Sequence, residues 1–513
     1  MALGGSPLLR NEIDGACSTR RLFLYLLAPL LAFRLWLAGA LPITGDEAYF
    51  IWWGKIPDWG FYDHPPMIGW WLAAQLALGD GAAWLRLTSV VQPMLLAGAV
   101  AWFVPRIWSG AEEWRRWSAA LLVLLAPTSV WNVLITTDTP LAYGSVLSGL
   151  AWLRARRDGH LGWYLASGLA LALAVLSKYF VAFLGFAYLV DALRRPDRRS
   201  LAGLAIVYAC CLPALGLMAW WNMGHCWPNY MFNFVNRHGK SAFSWQTPLL
   251  YAVTLIYLLT PPLVWRLGKL RRRPELTSVA LLAGVPLLLF GLLSLKKTVG
   301  LHWMLSFLPF VFVLAALALD ERALARLRAF FLGFAALHVV LLGAVGLTSL
   351  ERWQGTKWYD SVVLAFEAPQ IAARLKPYAA EYAFASDGYA DAVTLGYNAR
   401  RYFLVFGEAS SHARHDDILT DFSALDGRNI LILRKSAPPP GAYEPYFREL
   451  RTATFTLHGV TFHQIMGRGF DYPRYRDTVL ATVRDKYYRV PAWLPTTACY
   501  FCDRYWPGQP CPR

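Results

Sequence analysis

Long apolar runs, separated by short breaks that carry arginine and lysine, constrain this chain more than any other feature. The first covers 22–41. Others lie near 86–105, 118–135, 140–153, 162–177, 179–193, 201–221, 247–265, 277–295, 304–319 and 329–348, eleven in all. A helix needs about 20 apolar residues to cross a hydrocarbon core about 30 Å thick. Within that core the backbone has to satisfy its own hydrogen bonds, which a helix does. The pattern therefore predicts a mainly α, polytopic helical membrane protein with about eleven transmembrane helices. Composition agrees: of 513 residues, 56% are hydrophobic, 15% aromatic and only 16% charged. A soluble chain would carry about a quarter charged residues.

A net charge of +16 invites a nucleic-acid partner, but the excess sits where membrane topology requires it. Alternate breaks hold Arg106, Arg115 and Arg116, then Arg154, Arg156 and Arg157, then Arg194, Arg195, Arg198 and Arg199. The series continues with Arg266, Lys269, Arg271, Arg272 and Arg273, and ends with Arg322, Arg326 and Arg328. The remaining breaks hold only Lys55, Arg237, Lys240, Lys296 and Lys297, plus boundary residues. That asymmetry is the positive-inside pattern. It excludes nucleic acid, names the lipid bilayer as partner, and puts residues 1–21 in the cytoplasm. An odd number of spans then puts the C-terminus outside. The basic start and the Ala38-Gly39-Ala40 end of the first run resemble a signal peptide. Arg34 interrupts that run and many spans follow, so the reading is an uncleaved first helix. Inside it Arg34 has to face protein or a cavity, not lipid.

The pattern divides the chain into a transmembrane domain, 22–349, and an extracytoplasmic domain, 350–513. The break at 42–85 is the first outer loop; its apolar stretch 67–78 is too short to span and is expected to lie along the surface. From Glu351 the period changes. Tyr382–Ser386, Gly388–Gly396 and Tyr402–Phe406 read as strand, helix and strand, with further strands at Asn429–Arg434 and Thr452–Leu457. Pro438-Pro439-Pro440-Gly441 reads as a loop. This predicts a small C-terminal α/β domain lying over the catalytic face.

The loop from Thr44 to Pro66 concentrates the polar chemistry. It carries Asp46 and Glu47 together, then Asp63 and His64 before two prolines, with Tyr49, Phe50, Trp52, Trp53, Trp59, Phe61 and Tyr62 between them. Aromatics suit a membrane interface, whereas carboxylates there are costly unless they do something. The spelling GDEAYFIWWGKIPDWGFYDHPPMIGWW resembles the first extracytoplasmic loop of bacterial GT-C superfamily membrane glycosyltransferases. That group includes the polyprenyl-phosphate-sugar enzymes related to dolichyl-phosphate-mannose protein mannosyltransferases and to lipid A aminoarabinose transferase. The resemblance covers roughly 20–350. It implies a GT-C-type fold and transfer, with inversion, of a sugar from a polyprenyl-phosphate-linked donor. The acceptor would be extracytoplasmic: a protein, a glycolipid or a surface glycan.

Such a transfer needs a base for the acceptor hydroxyl, and a carboxylate within hydrogen-bond reach serves. The resemblance assigns that role to Asp46. Glu47, the second catalytic candidate, either positions the loop, binds a cation or caps a helix. Asp63 and His64 are candidates for the leaving phosphate, since a cationic donor helps there and a carboxylate can hold the imidazole. Asp138, within Thr136-Thr137-Asp138-Thr139-Pro140, reads as a helix cap or, through the family spelling, as a donor-site residue. Lys178, in Leu176-Ser177-Lys178-Tyr179, either snorkels or meets the donor phosphate. Arg237 offers a planar fork suited to phosphate. Lys296, Lys297 and His302 complete the donor set; the paired lysines are equally suited to lipid headgroups. These outer loops are expected to share one face. Asp46, Glu47 and Asp63 are the carboxylates open to a divalent cation, although no spacing demands one.

Two clusters stand out in the last domain: Ser386-Asp387-Gly388-Tyr389, and the run from His412 through Arg414, His415 and Asp416 to Asp417. Both read either as contacts for the acceptor or as solvated turns, and the turn reading is preferred. Cys499, Cys502 and Cys511 lack partners for a zinc site, and in an oxidising compartment one disulfide among the three is expected. The competing function is a transporter or flippase for a lipid-linked sugar. It calls for midplane polar groups and an internal repeat, neither of which is evident.

Overall fold

A computed structural model describes residues 7–236, 243–410, 414–509, 511 and 512. Arg237 lies outside the described residues. The chain forms two compact units. The first takes Met1–Leu41, Gly81–Gly216 and Ser241–Gly346; the second takes Pro42–Asp80, Leu217–Lys240 and Leu347–Arg513. The first outer loop and the segment before Lys240 thus fold with the C-terminal region, a grouping that local pattern does not announce.

The first unit is helical. Helices occupy every expected apolar run, among them Leu87–Ile107, Asp138–Asp158, Leu161–Val175, Arg198–Met223, Thr277–Ser294 and Glu321–Gly346. Among the described residues, five helical stretches are long and apolar enough to cross a bilayer unaided: Ser18–Ala40, Ala82–Ile107, Arg198–Met223, Pro274–Ser294 and Glu321–Gly346. Helices Gln246–Leu259 and Pro261–Leu267 are together long and apolar enough but meet at 99°, the geometry of a broken span or a re-entrant loop. The break follows from sequence. Pro261 has no N–H and disfavours helical geometry in the residue before it, and Thr260 sits at a φ of +67°. The chain is a multi-pass membrane protein.

Arg34 shows how a charge is accommodated inside a span. It is fully buried, and its guanidinium donates to the carbonyls of Val90 at 2.7 Å, Ser89 at 2.6 Å and Asn132 at 2.8 Å, and to that of Ser129. The helical partner for the Ser89 carbonyl would be residue 93, a proline without an N–H. Arg34 supplies the missing donor and ties three helices together. It faces protein, as its place in the first run requires.

The second unit is built on one five-stranded sheet. Its strands are β1 (Ala383–Ser386), β2 (Leu404–Val405), β3 (Ile430–Arg434), β4 (Phe447–Leu457) and β5 (Val460–Phe470), in the order β2-β1-β3-β5-β4. β1 is parallel to both β2 and β3, whereas β5 runs antiparallel to β3 and β4. Ile430-Leu431-Ile432-Leu433 is continuously apolar because both faces are covered. Ile430 and Ile432 join a cluster with Phe406, Tyr475 and Phe470, while Leu431 and Leu433 pack with Val363 and Ile371 of helix Tyr359–Leu375. His458 and Gly459, both at positive φ, form the two-residue turn from β4 to β5. β5 was not legible as a strand: His463, Gln464, Gly467 and Gly469 interrupt its pattern.

Disulfides join Cys226 to Cys499 and Cys502 to Cys511. The second lies among the three tail cysteines, as expected. The first ties the tail to the segment before Lys240 and was not foreseen.

Candidate active site

In the second unit the loop is organised by its first turn. Helix Gly45–Lys55 opens with a capping box, in which Thr44 Oγ1 accepts from the Glu47 N–H at 3.3 Å and Glu47 Oε2 accepts from the Thr44 N–H at 3.0 Å. Glu47 is therefore buried and engaged in holding the turn, while its neighbour Asp46 is exposed. Asp46 Oδ1 accepts a hydrogen bond from the Tyr389 hydroxyl at 2.9 Å. One turn further on, Tyr49 donates to Asp63 Oδ1 at 3.1 Å. Burial, and then the Asp63 carboxylate, hold the Tyr49 phenol well above its ordinary range, so it stays a donor.

Behind this turn several of the aromatics pack on one another. Trp53 stacks on Phe61 at 4.2 Å, and the Trp221 indole donates to Asp58 at 3.0 Å. His64 is half-buried, with its ring 6.2 Å from Trp53. Asn233 donates to the Asp63 carbonyl at 2.9 Å and Asn229 to that of Phe61 at 3.0 Å, fixing the Tyr-Asp-His-Pro-Pro end.

The expectation of solvated turns is corrected at Ser386 and from Arg414 to Asp417; His412 lies outside the described residues. Ser386, Arg414, His415 and Asp417 are all buried. Arg414 meets Asp417 through two bonds at 2.7 and 2.8 Å, and Tyr488 donates to the same carboxylate at 2.7 Å. His415 lies edge-on to Phe61 at 5.2 Å and Trp53 at 5.8 Å, and its Nδ1 accepts from the Tyr62 N–H at 3.4 Å. Burial, assisted by His225, pushes its pKa down to about 3, so it packs as a neutral ring. The loop's polar residues are shielded here because the loop and the sheet domain share one core, which no local pattern could reveal. The signal that did exist was the density of polar residues in these two runs.

In the first unit three predicted residues from three separate breaks come together. Asp138 is the first residue of helix Asp138–Asp158, Lys178 follows helix Leu161–Val175, and His302 sits in the turn Leu301–Met304. Lys178 Nζ lies 2.9 Å from each oxygen of Asp138, and both side chains are buried. His302 Nε2 is 3.8 Å from Asp138 Oδ2. Lys178 also approaches the rings of Phe180 and Trp303, at 5.8 and 6.0 Å. Asp138 thus directs its carboxylate to a lysine rather than capping its helix, and Lys178 does not snorkel. Lys296 is exposed and Lys297 half-buried, both just beyond the end of helix Thr277–Ser294.

Among the described residues, side chains able to share a metal ion gather only at Cys226, Cys499 and Cys511, and disulfides engage them. Asp46, Glu47 and Asp63 form no such group.

Residues 63–221 match a family model described as dolichyl-phosphate-mannose-protein mannosyltransferase. The lipid A galacturonosyltransferase RgtD of Rhizobium johnstonii is 29% identical over 229 residues, which is 42% of this chain and 46% of that protein. The match takes in less than half of that relative's length. ArnT from Cupriavidus metallidurans, solved bound to undecaprenyl phosphate, is 18% identical with a TM-score of 0.60, covering 86% of this chain and 97% of that one. Its apo structure is 17% identical with a TM-score of 0.64, covering 88% and 98%. At those identities the likeness is one of fold, and it extends through both units. The chain therefore has the ArnT fold, and within it residues 63–221 resemble the dolichyl-phosphate-mannose-protein mannosyltransferase family.

Proposed function

We propose that this chain transfers a sugar from a polyprenyl-phosphate-linked donor to an extracytoplasmic acceptor, in the inner membrane and on its periplasmic side. The observation that carries the reading is the buried pair of Asp138 and Lys178, with the exposed His302 beside it. A buried cation set against a carboxylate is seldom a source of stability, since two charges lose their water for one contact. Three loops that each contribute a member suit a ligand better. Lys178 has three N–H donors, and Asp138 aims the ammonium while a donor phosphate takes one of them. The solved ArnT complex with undecaprenyl phosphate supports a lipid phosphate as that ligand.

In this reading Asp46 is the base. The acceptor hydroxyl gives its proton to Asp46 as its oxygen attacks the anomeric carbon. The bond from that carbon to phosphate oxygen breaks, and the electron pair leaves with the polyprenyl phosphate. One displacement inverts the anomeric centre. Tyr389 orients Asp46, and Glu47 secures the turn that presents it. The alternation of basic breaks supports the assigned sidedness.

The test is mass spectrometry of envelope glycans and lipids from cells with and without the protein. Loss of one hexose- or pentose-sized unit from a defined glycan or lipid is the expected result; identical envelopes would refute transfer.

A further inference from the structure

A cavity of about 680 Å³ opens in the second unit. That volume is within the usual range for small-molecule sites, about 300–1,000 Å³. Its position follows from the sheet. The chain leaves β1, turns through helix Tyr389–Ala399 to β2 on one side, and returns to β3 on the other. Parallel strands that diverge in this way leave a crevice at their carboxyl ends, where α/β sheets take their ligands. The cavity lies there: Asp387 follows β1, Phe406 to Ser410 follow β2, and Arg434 ends β3.

Among the described residues its lining carries three carboxylates and one guanidinium, and the cations that meet Asp391 and Glu408 lie outside that lining. Asp387 pairs with Arg434 at 3.2 Å across the crevice, Asp391 with Lys435 at 3.0 Å, and Glu408 with Lys486. Arg434 also donates to the Tyr443 hydroxyl at 2.7 Å, and its buried Nε has no hydrogen-bond partner among the described residues. Tyr389, Tyr443 and Tyr446 add ring faces and hydroxyls. A phosphate, which only accepts, would meet three carboxylates here. A sugar both donates and accepts through each hydroxyl and presents an apolar face to an aromatic ring, which these walls match. Tyr389 belongs to the cavity and also donates to Asp46 at 2.9 Å.

We infer that this cavity binds a phosphate-free carbohydrate segment of the acceptor and presents its hydroxyl to Asp46 beside Tyr389. The inference rests on the glycosyl-transfer reading for its use, but binding can be measured without transfer. The detergent-solubilised full chain is titrated with maltose, lactose, diacetylchitobiose and glucose 1-phosphate, followed by saturation-transfer NMR. At least one neutral disaccharide should bind, more tightly than glucose 1-phosphate. Asp387→Asn and Glu408→Gln should each weaken it about tenfold, as loss of a hydrogen bond to a charged group does. Thermal melts establish that both variants are folded, and two separate positions guard against one failing to fold. Absence of binding by all three disaccharides, tighter binding of the phosphosugar, or binding indifferent to both substitutions would overturn the inference. Sugar binding that responds to the substitutions in a protein that leaves the envelope unchanged would instead refute transfer and retain the site.

Discussion

The Tyr389 hydroxyl donates to Asp46 Oδ1 at 2.9 Å across 343 residues of sequence. Burial, and then the Asp46 carboxylate, hold that phenol above its ordinary range, so it remains protonated and Asp46 keeps a fixed direction. Asp46→Asn preserves size but cannot take a proton, and sugar transfer should fall by about 10²–10⁴-fold. Tyr389→Phe removes only the orienting bond and should cost about tenfold. Transfer assays on both, with circular dichroism to confirm folding, decide this. Near-parental transfer by Asp46→Asn would remove it as base.

Lys178 and Asp138 should separate binding from stability. Lys178→Met should raise the donor KM. Asp138→Asn leaves an uncompensated buried ammonium and should lower stability by about 3–5 kcal/mol. The double variant Lys178→Met with Asp138→Leu should recover stability while donor binding stays weak. Thermal unfolding and donor titration read the two effects independently, and recovered donor binding in the double variant would count against a phosphate role.

Thiol counting tests the tail. Two disulfides make the number of reactive thiols in denatured protein rise by four on reduction. Cys226→Ser should destabilise the second unit by about 2–5 kcal/mol, because the lost bond closes a long loop. An unchanged thiol count would show the four sulfurs to be free.

His415 should leave a signature in pH dependence. The unfolded chain protonates it near 6.5, the folded protein only near 3. Between those values the unfolded state binds more protons, so this residue's contribution to stability falls as pH falls, by about 2 kcal/mol from pH 7 to 5. Asp416, held above the carboxylate range by burial and by Asp417, acts in the opposite sense. The measurement is therefore the difference in melting temperature between the parent and His415→Gln across that interval. That difference should shrink on acidification; a constant difference would mean that His415 is charged in the fold.

Alkaline phosphatase fused after Leu350 should be active and fused after Arg273 inactive, as the charge alternation requires. The reverse pattern would invert the assigned sidedness.

Much of this protein is written locally. Apolar length and basic breaks determine a helical membrane chain, because the bilayer accepts little else. Strand β3 is legible in Ile430–Leu433, and the importance of the 44–66 loop in its pairing of carboxylates with aromatics. The polar group of Asp138, Lys178 and His302 could be listed from the sequence, but only packing of three helical breaks showed that they touch. Tertiary structure alone decided that Glu47 caps a helix while Asp46 meets Tyr389, that His415 is buried and neutral, and that Cys226 finds Cys499 across 273 residues. Hydrophobic period and capping signals act over a few residues. A contact that closes hundreds depends on which apolar faces bury one another, and the loop-closure entropy it must overcome leaves no mark on the local pattern.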